Sequence, residues 1–133
     1  MPRLTAPLAA VLALAACSDD DLERVELPAG ETFVSRRIVR DLEPGVIPEA
    51  DLVTLSFPTD STYLLEVPPN TCRGPLERVG PVAWRVRGGG GCTEVCCSTP
   101  LAEEIAALVA VGELRVGDVT VTVGNDTASV IFQ

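Results

Sequence analysis

The residues of this sequence best suited to unusual chemistry are its closely spaced cysteines. Cys92, Cys96 and Cys97 lie within one short segment, and Cys72 lies upstream of them. Thiols at this spacing could bind a soft metal ion or cycle between thiol and disulfide. The spacing lacks both the paired knuckles of a zinc site and the C-x-x-C of a thiol oxidoreductase. Structural disulfides are therefore the first prediction, and a metal-binding or thiol-redox protein is the alternative.

The rest of the composition excludes several kinds of catalysis. The sequence contains no histidine, and all 10 of its basic residues are arginines. Without histidine no Ser-His-Asp or Cys-His arrangement can form, and without lysine there is no Schiff base and no P-loop lysine. The adjacent carboxylates of Glu103 and Glu104 suit the positive end of a helix rather than glycosidase chemistry. We predict no catalytic residues, no cofactor and no bound metal, and hence a protein that is not an enzyme.

The first residues have the organisation of a bacterial export signal. A basic residue is followed by the apolar run 4–16, which is too short to span a bilayer about 30 Å thick as a helix. The run ends in the motif Leu-Ala-Ala-Cys at Cys17, which resembles the lipobox of bacterial lipoproteins. That resemblance implies transfer of diacylglycerol to the Cys17 sulfur, cleavage before Cys17, and acylation of its amino group by a chain such as palmitate. Residues 1–16 are therefore predicted to be a lipoprotein signal peptide, and an ordinary secretory signal is the alternative.

Assigning Cys17 to lipid leaves an even number of cysteines, since the chain has 5 in all. In an oxidising compartment the remaining cysteines of a small domain are more often disulfides than free thiols. A bond between Cys96 and Cys97 would close a small, distorted ring. The expected pairings therefore join Cys72 to Cys96 or Cys97 and leave Cys92 for the other cysteine.

Charge and composition divide the rest of the chain into a tether and one domain. The chain has 19 acidic and 10 basic residues, a net charge of −9, and this disfavours nucleic acid as a partner. Acidic residues are dense in the first part of the segment 17–31, which is therefore predicted to be a lipid-anchored, solvated tether. Residues 32–133 have the length of a single domain with one modest core.

Alternating apolar and polar residues indicate a mainly antiparallel β-sheet. A helix start signal precedes Pro100 and Gly112 is placed to end the element, so one amphipathic helix is expected over 100–111. The segments 72–75 and 88–91 are expected to be loops. The expected fold is α+β, with about six to seven short strands, the helix packed on the sheet, and disulfides joining them. Period-two patterns predict strands over 32–40, 53–57, 62–67, 82–87, 113–116, 119–123 and 127–132.

The order of elements in the later part of the chain resembles the META domain family of small envelope lipoproteins. The matching segments are a cysteine motif at 71–75, an acidic-apolar helix just after a cysteine at 100–105, two strands around a Gly-Asp turn at 114–121, and a final strand ending at 130–132. The asparagine of the family's cysteine motif is missing and Cys92 is additional. The resemblance implies a small antiparallel α+β fold, and it supplies no catalytic residues to transfer.

These observations together predict a non-enzymatic lipoprotein of the bacterial cell envelope. Cys17 would anchor it through lipid. By resemblance to enterobacterial sorting rules, Ser18 permits transfer to the outer membrane, where the domain is predicted to face the periplasm. The predicted partners are the membrane and an envelope protein or glycan, and the predicted role is binding or envelope stress. The alternatives are a periplasmic metal-binding or thiol-redox protein using Cys92, Cys96 and Cys97, and a small enzyme-inhibitor lipoprotein.

Overall fold

The protein is described by a computed structural model that covers residues 23–88, 90–95 and 97–133. The predicted signal peptide, Cys17 and Cys96 lie outside the described residues. Among those described, no helix has the length and apolarity needed to cross a bilayer. The described residues form ten strands and one α-helix, in the order β1 (Thr32–Arg40), β2 (Glu43–Val46), β3 (Thr54–Thr59), β4 (Thr62–Val67), β5 (Asn70–Gly80), β6 (Ala83–Val86), β7 (Gly91–Cys92), α1 (Pro100–Val111), β8 (Glu113–Val116), β9 (Val121–Gly124) and β10 (Ala128–Phe132).

Eight of the strands close into an antiparallel barrel. Their order around it is β1-β3-β4-β5-β6-β8-β9-β10, and β10 pairs back onto β1. The other two strands, β2 and β7, pair with β1 and β5. The predicted α+β fold of six to seven strands with a helix packed on a sheet is therefore wrong, because the structure is mostly antiparallel β and closed. Closure depends on pairing between strands far apart in the sequence, which a local residue pattern does not indicate.

The longest strand, β5, occupies the segment that the sequence predicted to contain a loop. Its proline and glycine are residues typical of turns. Pro75 nevertheless belongs to the sheet, because its carbonyl oxygen accepts a hydrogen bond from the Arg87 N–H at 3.0 Å. The next residue, Leu76, donates to the Ser61 carbonyl at 2.7 Å. Backbone pairing on both sides thus outweighs the local turn preference of the segment.

Inward-facing apolar side chains fill the barrel. In β4, for example, Tyr63, Leu65 and Val67 are buried while Leu64 and Glu66 are not, as expected for a strand with one face in the core. One polar residue, Ser35, is also fully buried, and its hydroxyl accepts a hydrogen bond from the Val53 N–H at 2.8 Å. The largest fully buried apolar side chains are Val53, Leu55, Phe57, Leu65, Ile105, Val109, Leu114, Val121, Val123, Val130 and Phe132.

Helix α1 crosses one end of the barrel, and the prediction of a helix over 100–111 is confirmed. The Thr99 hydroxyl caps it by accepting a hydrogen bond from the Ala102 N–H at 3.2 Å, and Pro100 occupies the first turn. The helix contacts β4, β6, β9 and β10, which lie on different sides of the barrel. Its apolar face therefore closes this end, through the buried residues Ala102, Ile105, Leu108 and Val109.

An ion pair joins α1 to the end of β1. Arg40 donates through Nε and Nη2 to the two carboxylate oxygens of Glu104, at 2.9 and 2.6 Å. These hydrogen bonds lower the pKa of Glu104 and raise the pKa of Arg40. Both side chains are about half exposed, so the pair contributes little to the stability of the fold.

The opposite end of the barrel is closed by the segment that precedes β1. The Val25 N–H donates to the Pro81 carbonyl at 3.0 Å, and the Gly30 N–H donates to the Phe57 carbonyl at 2.9 Å. Between these two attachment points Leu27 is buried in the core, with 4% of its surface exposed. The division of the chain at residue 31 stays a prediction, but the segment from Val25 onward contacts the barrel rather than solvent alone.

Candidate functional site

A groove of about 960 Å³ lies on the outer wall of the barrel, where β4, β5 and β7 meet. The alternation that buries Tyr63 and Cys72 turns Leu64 and Arg73 outward, toward this groove. The lining residues are Pro58, Thr62, Tyr63, Leu64, Thr71, Arg73, Gly74, Pro75, Gly91, Cys92 and Thr93. It is the larger of the two described cavities and the candidate binding site, because ligand sites combine apolar surface with a few polar groups.

The lining of the groove combines apolar surface, hydroxyl groups and one positive charge. Pro58, Leu64 and Pro75 supply apolar surface, threonines supply hydroxyls, and Arg73 supplies a guanidinium. None of the described lining residues is acidic, although the chain as a whole carries −9. Arg73 forms no ion pair with any described residue. The guanidinium is therefore available to a negatively charged group of a ligand.

Strand β7 forms one wall of the groove and is attached to β5 by several short contacts. The Thr93 N–H donates to the Thr71 carbonyl at 2.9 Å, and the Thr71 N–H donates to the Thr93 hydroxyl at 2.9 Å. Further along, the Val95 N–H donates to the Asn70 side-chain oxygen at 2.7 Å. These bonds pair a part of β5 that β6 does not reach. They also fix the positions of Thr71 and Thr93 at the rim of the groove.

The glycines beside β7 are required by a close approach of two backbone segments. A Cβ on Gly74 would lie 2.7 Å from the Gly90 Cα, and a Cβ on Gly90 would lie 2.8 Å from the Arg73 carbonyl oxygen. Contacts this short between a side chain and backbone are not tolerated. The glycine run, expected to be a flexible loop, therefore lets the chain pass over β5 before β7 begins.

A disulfide at the edge of the groove joins Cys72 of β5 to Cys92 of β7. The two residues are directly opposite in the antiparallel pairing, with Cα atoms 3.9 Å apart. The prediction that Cys72 pairs with Cys96 or Cys97 is therefore wrong. The reason is the register, because β5 and β7, neither of which the sequence predicted, bring Cys72 and Cys92 together.

The structure also changes the alternative based on the cysteine cluster. Cys92 is bonded to Cys72 and so is not a free thiolate in this state. Cys96 lies outside the described residues, and Cys97 lies in the segment between β7 and α1. Among the described residues, no group of three histidine, cysteine or acidic side chains is placed to hold a metal ion. Cys72–Cys92 is the one disulfide for which both cysteines are described.

Tyr63 is the remaining titratable group of the groove. Burial raises the pKa of its phenol above the ordinary value, because a low-dielectric environment disfavours the charged form. The phenol is therefore neutral at physiological pH and adds no negative charge beside Arg73.

A second, smaller cavity of about 380 Å³ lies between the end of α1 and the β9–β10 turn. Its arginines are already partnered, because Arg115 lies 2.7 Å and Arg85 3.7 Å from carboxylate oxygens of Glu113. Asp126 adds another acidic residue to the lining. The charges of this cavity are largely balanced internally, which makes it a weaker candidate than the groove.

The predicted site residues and the observed groove overlap only in part. Cys72 and Cys92 were singled out as disulfide candidates, and they lie at the groove together. The sequence did not indicate a role for Arg73 or Thr71, because both lie in a segment predicted to be a loop. The available signal was the alternation of Thr71, Arg73 and Pro75 with Cys72, which places all three on the outer face of β5.

Comparison with known proteins supports the fold and goes no further. The structure is similar to the NMR structure of a protein from Burkholderia xenovorans, with a TM-score of 0.57 and 15% sequence identity. The match covers 79% of this chain and 81% of that chain. No family model matches the sequence, and no curated protein matches it either. The shared feature is thus the fold alone.

Proposed function

We propose that this protein is a non-enzymatic, lipid-anchored binding module of the bacterial cell envelope. The observation that carries the binding role is the groove, which combines apolar surface with a single guanidinium that forms no ion pair with the described residues, as a ligand site would. The Leu-Ala-Ala-Cys motif at Cys17 supports the anchor, and Ser18 after it supports the location at the outer membrane. Both ends of the barrel are closed, so binding on the outer wall leaves the core undisturbed.

The lining also suggests the chemical class of the ligand. A molecule with an apolar body and one acidic group would place the body against Pro58 and Leu64 and the acidic group at Arg73. Charge-assisted hydrogen bonds to a guanidinium are stronger than neutral ones, so the acidic group would contribute much of the affinity. Apolar peptides with a free carboxylate belong to this class and are plausible components of an envelope.

Kinship with the META domain family belongs to the same proposal. The Gly117-Asp118 turn between β8 and β9 and the final strand ending at Phe132 support it. The family's envelope location agrees with the anchor at Cys17.

The ligand class is tested with one peptide in two forms. An apolar tripeptide with a free carboxylate is titrated into the protein and compared with the same peptide amidated, with binding followed by NMR shifts. We expect the free acid to bind about tenfold more tightly, since the charge-assisted bond contributes roughly 1.5 kcal/mol or more. Arg73→Ala should remove this preference, and Arg36→Ala, at an exposed arginine outside the groove, should retain it. Equal binding of the two peptides would show that the ligand class is wrong.

The anchor is tested separately at Cys17. The full chain expressed in a bacterium should partition into the detergent phase, and Cys17→Ser should move it to the aqueous phase or leave it unprocessed. Unchanged partition of the Cys17→Ser variant would contradict lipidation at this residue.

A further inference from the structure

One arginine side chain adds to the backbone bonds and the buried Leu27 that hold the segment at the barrel end opposite α1. Arg78 of β5 donates through Nη1 to the Val25 carbonyl at 3.0 Å and to the Pro81 carbonyl at 2.9 Å. Its Nη2 forms an ion pair with Glu26 at 3.1 Å. The planar guanidinium can reach all three acceptors at once, which a lysine ammonium at the same position could not reproduce.

Arg78 is itself held in place by the only tryptophan of the chain. The guanidinium carbon lies 4.5 Å from the centroid of the Trp84 ring, a distance that allows a cation–π interaction. Trp84 is buried, and the Arg78 side chain is only 26% exposed. The chain is therefore fixed to the barrel at Val25, beside the β5–β6 turn.

This fixed point limits how far the barrel can lie from Cys17. From Cys17 to Val25 there are eight residue steps of at most about 3.5 Å, so the two residues lie within about 28 Å of each other. The limit follows from chain length alone. If Cys17 carries the lipid, the end of the barrel that holds Val25 stays within about 28 Å of it, and the α1 end can lie farther away by the height of the barrel.

The same end exposes two apolar side chains, one at the end of β5 and one in the β8–β9 turn. Val79 precedes the β5–β6 turn and is 45% exposed, and Val119 lies in the β8–β9 turn and is 76% exposed. The two turns are joined by a hydrogen bond from the Val116 N–H to the Val82 carbonyl at 3.0 Å. Exposed valines at the turns beside the attachment point would contact lipid rather than water.

We propose that the β5–β6 and β8–β9 turns form a membrane-facing end that rests on the surface of the lipid layer in which the protein is anchored. This inference rests on the proposed lipidation of Cys17. The length of chain between Cys17 and Val25 and the Arg78 contacts select this end. Exposed apolar side chains occur at both ends of the barrel, Val119 here and Leu42 and Val111 at the α1 end. Helix α1 then covers the end of the barrel that points away from the lipid.

The test places a tryptophan at each end of the barrel. Val119→Trp marks the proposed membrane-facing end, and Val111→Trp, at a position 73% exposed beside the C-terminus of α1, is the matched control. The lipidated full chain is reconstituted into vesicles of phosphatidylethanolamine and phosphatidylglycerol that contain brominated lipid. Quenching of the added indole is measured after subtracting the Trp84 signal of the wild-type protein. Any membrane affinity that the indole adds is the same in both variants.

We expect the Val119→Trp variant to be quenched about threefold more than the Val111→Trp variant, because indoles at a lipid interface contact the quencher. Adding Arg78→Gln should reduce this difference in quenching, since release of the segment that begins at Val25 lengthens the chain between Cys17 and the barrel. Adding Arg85→Gln should leave the difference unchanged. Near-ultraviolet circular dichroism of Trp84 confirms that each variant is folded. If the quenching difference keeps its full size when Arg78→Gln is added, Arg78 does not hold this end of the barrel at the membrane.

The outcomes separate this inference from the proposed anchor. Equal quenching of the two variants in vesicle-bound protein would overturn the orientation and leave the anchor standing. A wild-type protein that fails to associate with vesicles, with Cys17→Ser behaving identically, would overturn the anchor and the orientation together.

Discussion

The two ends of this barrel are closed by different physical means. Helix α1 closes one end with an apolar face, and its residues Ile105 and Val109 are among the most buried of the described chain. The other end is closed by an irregular segment in which Leu27 supplies the buried side chain and Arg78 supplies the polar contacts. At the α1 end, the buried apolar area is shared by several residues of the helix face. At the opposite end, the Arg78 contacts all depend on one side chain.

This difference predicts how each end responds to change. Apolar burial does not depend on a titrating charge, and its loss leaves a cavity that the surroundings fill only in part. A hydrogen-bonded guanidinium has directional contacts that a single substitution removes together. The helix end should therefore determine the global stability of the domain, and the segment end should be able to detach locally while the barrel stays closed.

The largest effect is expected at the helix end. Ile105→Ala should lower the free energy of unfolding by about 3 to 4 kcal/mol, because it removes a fully buried side chain and leaves a cavity. Urea unfolding followed by Trp84 fluorescence measures this. A loss no larger than that caused by Arg78→Ala would contradict the difference between the two ends.

The disulfide should rank next, since it joins β5 to β7, the strand that precedes the helix. The double variant Cys72→Ala and Cys92→Ala should lose about 3 kcal/mol, by the loop-closure estimate for a bond between residues separated by 20 positions. Thermal unfolding under non-reducing conditions measures the change. An unchanged midpoint would mean that hydrogen bonds such as those between Thr71 and Thr93 hold β7 without the covalent bond.

A smaller effect is expected at the segment end. Arg78→Ala should cost about 2 kcal/mol, since hydrogen bonds to a charged group contribute roughly 1.5 to 3 kcal/mol. Hydrogen exchange of the Val25 and Gly30 amides should rise more than that of β8 and β9. Arg85→Ala, at an exposed arginine 3.7 Å from Glu113, is the control and should cost less than about 0.5 kcal/mol. An equal rise in amide hydrogen exchange over the whole barrel would show that the segment before β1 does not detach locally.

The smallest effect is expected for the ion pair between β1 and α1. Glu104→Gln should cost less than about 1 kcal/mol at neutral pH, because both side chains are partly exposed. The pKa of Glu104 is lowered in the folded protein, so the stabilisation is present above the pKa of the unfolded chain and is lost as the pH falls through the lowered pKa. Wild type and variant should therefore converge in acid. A difference that persists there would rule out the carboxylate charge as its source.

Local sequence patterns predicted the elements with strong periodicity. The helix over Pro100–Val111 and the strand over Thr62–Val67 were predicted because their apolar residues repeat with the correct period. β5 was missed because Gly74 and Pro75 are typical of turns, and only backbone bonds from distant residues make a strand of them. Closure of the barrel was missed for the same reason, since it depends on pairing between β1 and β10.

The candidate site was less predictable than the elements. The sequence drew attention to cysteines, whereas the groove also depends on Arg73 and Thr71, which the cysteine motif at 71–75 contains without indicating a binding role for either. The disulfide pairing follows from the register of β5 with β7, which in turn requires Gly74 and Gly90 to pass within contact distance. Such a contact between two segments has no local pattern, so the pairing of Cys72 with Cys92 could not be read from cysteine spacing.

The pairing of β1 with β10 has a consequence for the newly made chain. Val34 and Gln133 exchange backbone hydrogen bonds at 2.8 and 2.9 Å, so the barrel cannot close until the last of its strands has been synthesised. Contacts between such distant positions slow folding. A chain that stays open through most of its synthesis remains threadable, which is the state a translocation channel needs if the protein is exported.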